Sequence, residues 1–161
     1  MYCDYVTLVI LTHPHEDHLG GLVEVLDTYD VEQVLAPGWE CDTPLYNEWL
    51  ALIEENNIGY TEARAGQRME FGGVLIEVLN PQNPLLLGTE SDIDNNSVVL
   101  HISMDEISFL LTADLMWQGG LELIGQRLVP ESTVFKVGHH GSATSTHSLL
   151  PSVMNSIVPS S

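Results

Sequence analysis

The sequence is 161 residues long, which is enough for one folded domain with its own hydrophobic core. It has 23 acidic side chains against 4 lysines and arginines, a formal net charge of −19 at pH 7. Spread evenly, that charge repels a nucleic-acid backbone and attracts divalent cations, although a solvated acidic surface explains it more simply. No apolar run reaches the ~18 residues of a membrane span, and no signal peptide precedes the first predicted strand. Cys3 and Cys41 form no C-x-x-C pair and indicate little about the compartment.

Four potential metal ligands follow the first predicted strand. Residues 5–11 are apolar and partly β-branched, which predicts a strand buried on both faces, as in a parallel sheet. His13 and His15 are two residues apart, so in an extended backbone their side chains point the same way and can bind one ion. Asp17 and His18 follow on a turn that can aim them at a second ion. A surface cluster of histidines is the alternative.

These four potential ligands suit a centre of one or two transition-metal ions. Two ions about 3.5–4 Å apart can polarise a substrate oxygen and generate a hydroxide between them. Imidazole and carboxylate ligands without thiolate favour Zn, Mn or Fe. A helix is predicted to begin near Leu19, and Gly20 and Gly21 are expected to let that helix pack close to the site.

The run His13-Pro14-His15-Glu16-Asp17-His18 resembles the H-x-H-x-D-H signature of the metallo-β-lactamase fold. The longer stretch over residues 11–22 is similar to the hydrolase domain of ComEC/Rec2 competence proteins and their stand-alone relatives. This resemblance implies an α/β fold, an αββα sandwich, with one or two divalent ions, Zn or Mn. It also implies that residues 1–161 form one hydrolase domain that lacks the opening strands and closing segment of the family. The domain would be a soluble, extracytoplasmic part of a bacterial membrane protein, with membrane contact only through absent flanking domains.

The following residues predict alternating strands and helices, then a hairpin. Thr43 and Pro44 suit the cap and first position of a helix that runs to about Asn56, with Trp49 in the core. Gly72 and Gly73 suit the turn of a hairpin. The predicted strands cover residues 31–36, 59–63, 69–71 and 74–79.

A long polar loop over residues 81–95 ends in Asn95 and Asn96. Its end is similar to the Asn-Asn-x-Ser stretch of the ComEC-type domains. Many other members of the fold have a metal-binding histidine near this place, and asparagine is a poor ligand for a transition metal. Asn96 is therefore a candidate for binding substrate. A turn that caps the next strand is the alternative.

The next pair of strands is predicted over residues 97–103 and 107–112, with His101 satisfied within the sheet. Ala113-Asp114 follows them and resembles the Thr-Gly-Asp element that supplies the metal-bridging aspartate of the fold, with alanine in place of glycine. Asp114 is therefore a predicted metal ligand. Its alternative role is to cap a helix over residues 116–127.

The last motif follows a predicted strand over residues 131–137. His139, His140 and Ser142 resemble the His-His-Gly-Ser motif of the ComEC-type domains. The two histidines can bind metal or pass a proton to a leaving oxygen, and Ser142, with Thr144 and Ser145, can hold a phosphate. A flexible loop with exposed histidines is the alternative. His147 is predicted to lie on the surface, and a last helix is predicted from residue 148.

The resemblance and the residues together predict a metal-dependent hydrolase. The leading hypothesis is a phosphodiesterase that cuts single-stranded DNA during DNA uptake, in which a metal-bound hydroxide attacks and Asp17 orients it. Two alternatives remain: a truncated metal-binding scaffold without turnover, and a hydrolase of another ester class, such as a lactone or thioester.

Overall fold

A computed structural model describes residues 4–142 and Ser145. The chain divides into two compact units, Met1–Ala63 and Arg64–Ser161, each with its own sheet and helices. Cys3, Thr144, His147 and the helix predicted from residue 148 lie outside the described residues. Within the described part, none of the helices combines the length and apolar character required to cross a membrane.

The first unit alternates strands and helices. Its elements are β1 (Tyr5–Ile10), α1 (Glu16–Thr28), β2 (Asp30–Ala36), α2 (Pro44–Glu55) and β3 (Gly59–Glu62). The three strands pair in parallel in the order β1-β2-β3, as the alternation of strand and helix predicts. Its core contains Leu19, Val34 and Trp49, each fully buried, so the prediction that Trp49 belongs to the core is confirmed.

Helix α2 begins where the sequence predicts. Thr43 is the N-cap, and its hydroxyl accepts a hydrogen bond from the backbone N–H of Tyr46 at 3.2 Å. Pro44 occupies the first turn, where its missing N–H costs nothing.

The prediction that β1 is buried on both faces is wrong. β1 lies at one end of the order of described strands in its sheet, and Tyr5 is 48% exposed. Thr7 is also exposed, and Val9 is the one fully buried residue of the strand. The strand is therefore only partly buried, most fully at Val9 near its carboxyl end, although its parallel pairing is as predicted.

Helix α1 begins three residues earlier than expected. Its N-cap is His15, so Asp17 and His18 lie in the first turn of the helix rather than on a turn before it. The expected reason for Gly20 and Gly21 is also wrong, because a Cβ atom on either residue would meet no heavy atom within 4 Å. Close packing of the helix does not require glycine at these positions.

The second unit contains a five-stranded sheet in the order β4-β5-β6-β7-β8. Its elements are β4 (Arg68–Phe71), β5 (Val74–Asn80), α3 (Asp92–Asn95), β6 (Val99–Met104), β7 (Ile107–Leu111), α4 (Trp117–Gly125) and β8 (Val134–Lys136). The first four strands are antiparallel neighbours, and β8 joins β7 in parallel. Gly72 and Gly73 form the predicted hairpin turn, with φ of 57° and 86°.

The prediction that His101 is satisfied within the sheet holds for one ring nitrogen, Nδ1, whereas its buried Nε2 makes no hydrogen bond with the described residues. Its Nδ1 lies 3.1 Å from Oε2 of Glu77 on the neighbouring strand, and Glu77 also pairs with Arg68 at 2.7 Å. The hydrogen bond from His101, with the charge of Arg68, lowers the pKa of Glu77 against the opposing effect of burial.

Candidate metal centre

Three imidazoles meet in the first unit where β1 ends and α1 begins. The ring centroids of His13 and His15 are 4.8 Å apart, and those of His13 and His18 are 4.1 Å apart. His13 is completely buried. The strand exit and the first helical turn therefore bring the three predicted histidine ligands of this unit together.

Thr12 fixes the orientation of two of these rings. Its hydroxyl oxygen lies 3.2 Å from Nδ1 of His13 and 3.4 Å from Nδ1 of His18. A hydroxyl can donate to one ring nitrogen and accept from the other. In the neutral ring whose Nδ1 donates to Thr12, the lone pair is on Nε2, which is the atom that could coordinate an ion. Sequence reasoning missed Thr12, because its contacts with both rings depend on the turn from the strand into the helix.

Asp17 adds a carboxylate beside this cluster. Its Oδ2 lies 3.7 Å from Nε2 of His18, and its side chain is 65% exposed. Glu16 and Asp17 are the acidic residues of the first turn of α1, where a negative charge interacts favourably with the helix dipole. Asp17 is thus a solvent-accessible carboxylate next to the partly buried imidazole of His18.

Asp114 of the second unit lies on the turn after β7 and is 3% exposed. It does not cap the following helix, because the N-cap of α4 is Met116, without a side-chain capping hydrogen bond. Ala113 before it has a φ of 47°, the left-handed region that glycine adopts more easily. The capping alternative is therefore not what the structure contains, and a metal-ligand role for Asp114 stays a prediction.

The two histidines of the last motif lie on a strained turn in the same unit. His139 and His140 have φ of 45° and 52°, which is uncommon for residues other than glycine. Nε2 of His140 lies 3.4 Å from Oδ2 of Asp114, and the backbone N–H of His139 donates to the carbonyl of Ala113 at 2.9 Å. The structure thus brings this turn and the Asp114 turn together.

Ser142 and Ser145 brace that turn. The backbone N–H of Ser142 donates to the carbonyl of His139 at 2.8 Å. The buried hydroxyl of Ser145 lies 2.9 Å from the carbonyl oxygen of Gly138. These bonds hold the loop, and phosphate binding by Ser142 stays a prediction.

Asn95 and Asn96 serve the architecture of the second unit. Both are buried, and Oδ1 of Asn95 accepts from the N–H of Gly119 in the first turn of α4 at 2.8 Å. The Asn96 amide donates to the carbonyls of Leu86 and Asp92, and it accepts from the Leu86 N–H. This favours the structural alternative, while substrate binding by Asn96 stays a prediction.

The residues fit a transition-metal ion. Within the first unit three imidazoles lie close together, and the second unit, described by itself, contains the buried carboxylate of Asp114. Nitrogen and carboxylate oxygen ligands without thiolate suit Zn or Mn. The donor chemistry therefore agrees with the predicted divalent ions, although the identity of the metal stays a prediction.

Comparison with known proteins identifies the class. A family model described as the metallo-beta-lactamase superfamily matches residues 5–154, and the chain belongs to this superfamily. The predicted fold class, an α/β fold of metallo-β-lactamase type, is thereby confirmed. The superfamily indicates a metal-dependent hydrolase.

Two curated relatives narrow the resemblance. ComE operon protein 3 of Bacillus subtilis is 29% identical over 138 residues, which are 86% of this chain and 17% of that protein. Recombination protein 2 of Haemophilus influenzae is 29% identical over 142 residues, which are 88% of this chain and 16% of that protein. The predicted similarity to the ComEC/Rec2 family is confirmed, and the chain spans less than a fifth of the length of these relatives.

A solved structure shows the same fold. CmlA, a diiron beta-hydroxylase from Streptomyces venezuelae, matches with a TM-score of 0.57 and 18% identity over 84% of this chain and 26% of that chain. Identity this low shows the fold alone and assigns no reaction.

Proposed function

We propose that this domain is a metal-dependent phosphodiesterase that cuts single-stranded DNA, as part of DNA uptake. The observation that carries the proposal is the packing of three imidazoles at the exit of β1, two of them oriented by the hydroxyl of Thr12. Similarity to ComE operon protein 3 and Recombination protein 2 supports the choice of substrate.

In this proposal His13, His15, Asp17, His18 and Asp114 hold one or two divalent ions, Zn or Mn. Such ions, when bound, activate water and neutralise charge on a phosphate. They also allow a chain with a net charge of −19 to hold an anionic substrate that its own surface would repel.

Side chains of the protein orient the water, supply a proton to the leaving oxygen and bind the phosphate. Asp17, which is exposed, accepts a hydrogen bond from the attacking water and orients it. Nε2 of His140 lies 3.4 Å from Oδ2 of the buried Asp114 carboxylate, which positions the ring. In the proposal His140 passes a proton to the leaving oxygen, while His139 and Ser142 bind the phosphate.

The test compares metal content and cleavage in three chains. Native protein, Asp17→Asn and Asp27→Asn are loaded with Mn or Zn and dialysed, and bound metal is measured by elemental mass spectrometry. Cleavage of a labelled single-stranded oligonucleotide is then followed. Asp27 is an exposed aspartate of the same helix, so its variant is the matched control. We expect native and Asp27→Asn to cleave, and Asp17→Asn to lose at least about 100-fold in kcat.

Each alternative has its own outcome. Metal binding without cleavage that depends on Asp17 would support the scaffold without turnover. Hydrolysis of a lactone or thioester, with DNA left intact, would support the other ester class. Either result would overturn the proposed phosphodiesterase.

A further inference from the structure

Trp117 is an exposed aromatic residue at the start of α4 in the second unit. It is 43% exposed, although tryptophan is among the more deeply buried residues of folded proteins on average. Leu121, one helical turn later on the same face, is 52% exposed and extends the apolar surface. The first turns of α4 therefore present a large aromatic side chain and an aliphatic neighbour to solvent.

Trp117 lies close to the Asp114 turn of the same unit. Asp114 follows β7, and α4 begins at Trp117, three residues further along the chain. Three residues span at most about 11 Å, so the Cα atoms of Asp114 and Trp117 are no further apart than that. Nε2 of His140 also lies at this turn, 3.4 Å from Oδ2 of Asp114. The exposed indole is thus near the residues of the second unit that the proposed function uses.

The indole ring is held by a hydrogen bond at its edge. Its N–H donates to Oε2 of Glu90 at 3.1 Å. Glu90 belongs to the loop before α3, where the backbone N–H groups of Gly88 and Thr89 donate to the carboxylate of Asp92. A bond from the indole N–H lies in the ring plane and does not use the π-faces. Trp117 is therefore oriented without losing the surface that stacks on other rings.

Stacking suits a chain with this charge. The sequence has 23 acidic side chains and only 4 lysines and arginines, of which Arg68 is paired with Glu77. Basic side chains therefore supply little of the attraction that most proteins use to hold a nucleic-acid backbone. Stacking of a base on an aromatic ring needs no positive charge, and every base has a π-face to offer.

We propose that Trp117 stacks on a base of the bound single strand, beside the Asp114 turn. The inference rests on the proposed function and adds a residue that positions its substrate. A base within a duplex is already stacked and paired, so this contact favours a single strand. Because all four bases can stack, the contact selects for the presence of a base rather than for a sequence.

The test measures strand binding apart from cleavage. Asp17→Asn is the common background, which keeps the strand intact, and Trp117→Ala, Trp117→Phe or Tyr29→Ala is added to it. Fluorescence anisotropy gives the affinity of each metal-loaded protein for a labelled oligothymidine and for an abasic strand of the same length. Tyr29 is an exposed aromatic residue of the first unit, so its variant is the matched control.

We expect Trp117→Ala to bind oligothymidine at least about fivefold more weakly and the abasic strand with unchanged affinity. Trp117→Phe should keep most of the affinity because it keeps an aromatic face, and Tyr29→Ala should match the background. Equal affinity of Trp117→Ala and the background for oligothymidine would overturn the inference, as would a lack of measurable binding. An equal loss on both strands, or a change only in self-association measured by sedimentation, would also overturn it.

The outcome is separable from that of the proposed function. Base-dependent binding through Trp117, without cleavage by the native chain, would contradict the phosphodiesterase and leave the stacking residue in place. Cleavage by the native chain with an unchanged KM in Trp117→Ala would contradict the stacking residue alone.

Discussion

Gly138 lies between strand β8 and the turn that His139 and His140 form. A Cβ atom here would lie 3.0 Å from Oγ1 of Thr112 and 3.2 Å from the carbonyl oxygen of Ala113, so these neighbours would have to move. The same carbonyl of Ala113 accepts the N–H of His139. The lack of a side chain at Gly138 therefore lets the histidine turn approach the Asp114 turn.

We predict that Gly138→Ala lowers the free energy of unfolding by about 1–3 kcal/mol and reduces kcat more than it changes KM. Gly125→Ala is the control, because a Cβ atom there meets nothing within 4 Å. Urea denaturation and steady-state kinetics measure both effects. A Gly138→Ala protein with native stability and native kcat would show that neither property depends on the close approach of the histidine turn to the Asp114 turn.

Glu77 provides a prediction for acid pH. Its pKa is lowered in the folded state, first by the hydrogen bond with His101, so its ionised form stabilises the fold. This contribution is complete above the ordinary glutamate range, around pH 4.3, and is lost as the pH falls through the lower folded-state value. Native protein should therefore exceed Glu77→Gln in stability near pH 6, and the difference should close towards pH 3.

Urea denaturation of both proteins across this range measures the difference. A gap that stays constant, or that widens in acid, would contradict the assigned role of Glu77.

Among single residues, the sequence predicts the convergence of His13, His15 and His18, because their spacing fits a strand that runs into a helix. Their role as metal ligands stays a prediction. The role of Thr12 could not be predicted, because its contact with His18 forms only when the chain turns from the strand into the helix.

At the scale of elements, α4 starts without a side-chain cap of its own. Its N-cap is Met116, and Asn95 from another helix supplies the missing acceptor to the N–H of Gly119. A Cβ atom at Gly119 would meet the carbonyl oxygen of Asn95 at 3.0 Å, so the two segments pack closely. The asparagine therefore connects α3 with the helix after the Asp114 turn.

We predict that Asn95→Ala lowers the free energy of unfolding by about 1–3 kcal/mol, because buried donors and acceptors lose their partners. Asn47→Ala on the exposed surface of α2 is the control and should change stability by less than about 0.5 kcal/mol. Urea denaturation measures both. Equal effects of the two substitutions would contradict the capping role of Asn95.

Helices and turns marked by a capping residue or by glycines were predicted correctly. Elements whose extent depends on contacts with residues far away in the sequence were not. The Thr43 cap and the turn at Gly72 and Gly73 are local, and both were found. Helix α3 was missed because four residues give no helical period and its stability comes from Asn95 and Asn96. The strand β8 covers only Val134–Lys136 of the predicted seven residues, since its extent is set by pairing with β7.

At the scale of the whole molecule, the charge of −19 is the property that any function must accommodate. A polyanionic substrate gains little from such a surface, so its binding should depend on divalent cations rather than on basic side chains.

The central claim is that the histidines at the exit of β1 bind a divalent metal ion. Calorimetric titration of Mn or Zn into metal-free native protein and His15→Asn tests it most directly. Asparagine is a favoured N-cap, so this substitution preserves the start of α1, where the His15 side chain makes no capping bond. We predict tight binding of one or two ions by native protein and at least about tenfold weaker binding by a folded His15→Asn protein. Absence of binding by native protein, or equal affinity in the two proteins, would contradict the claim.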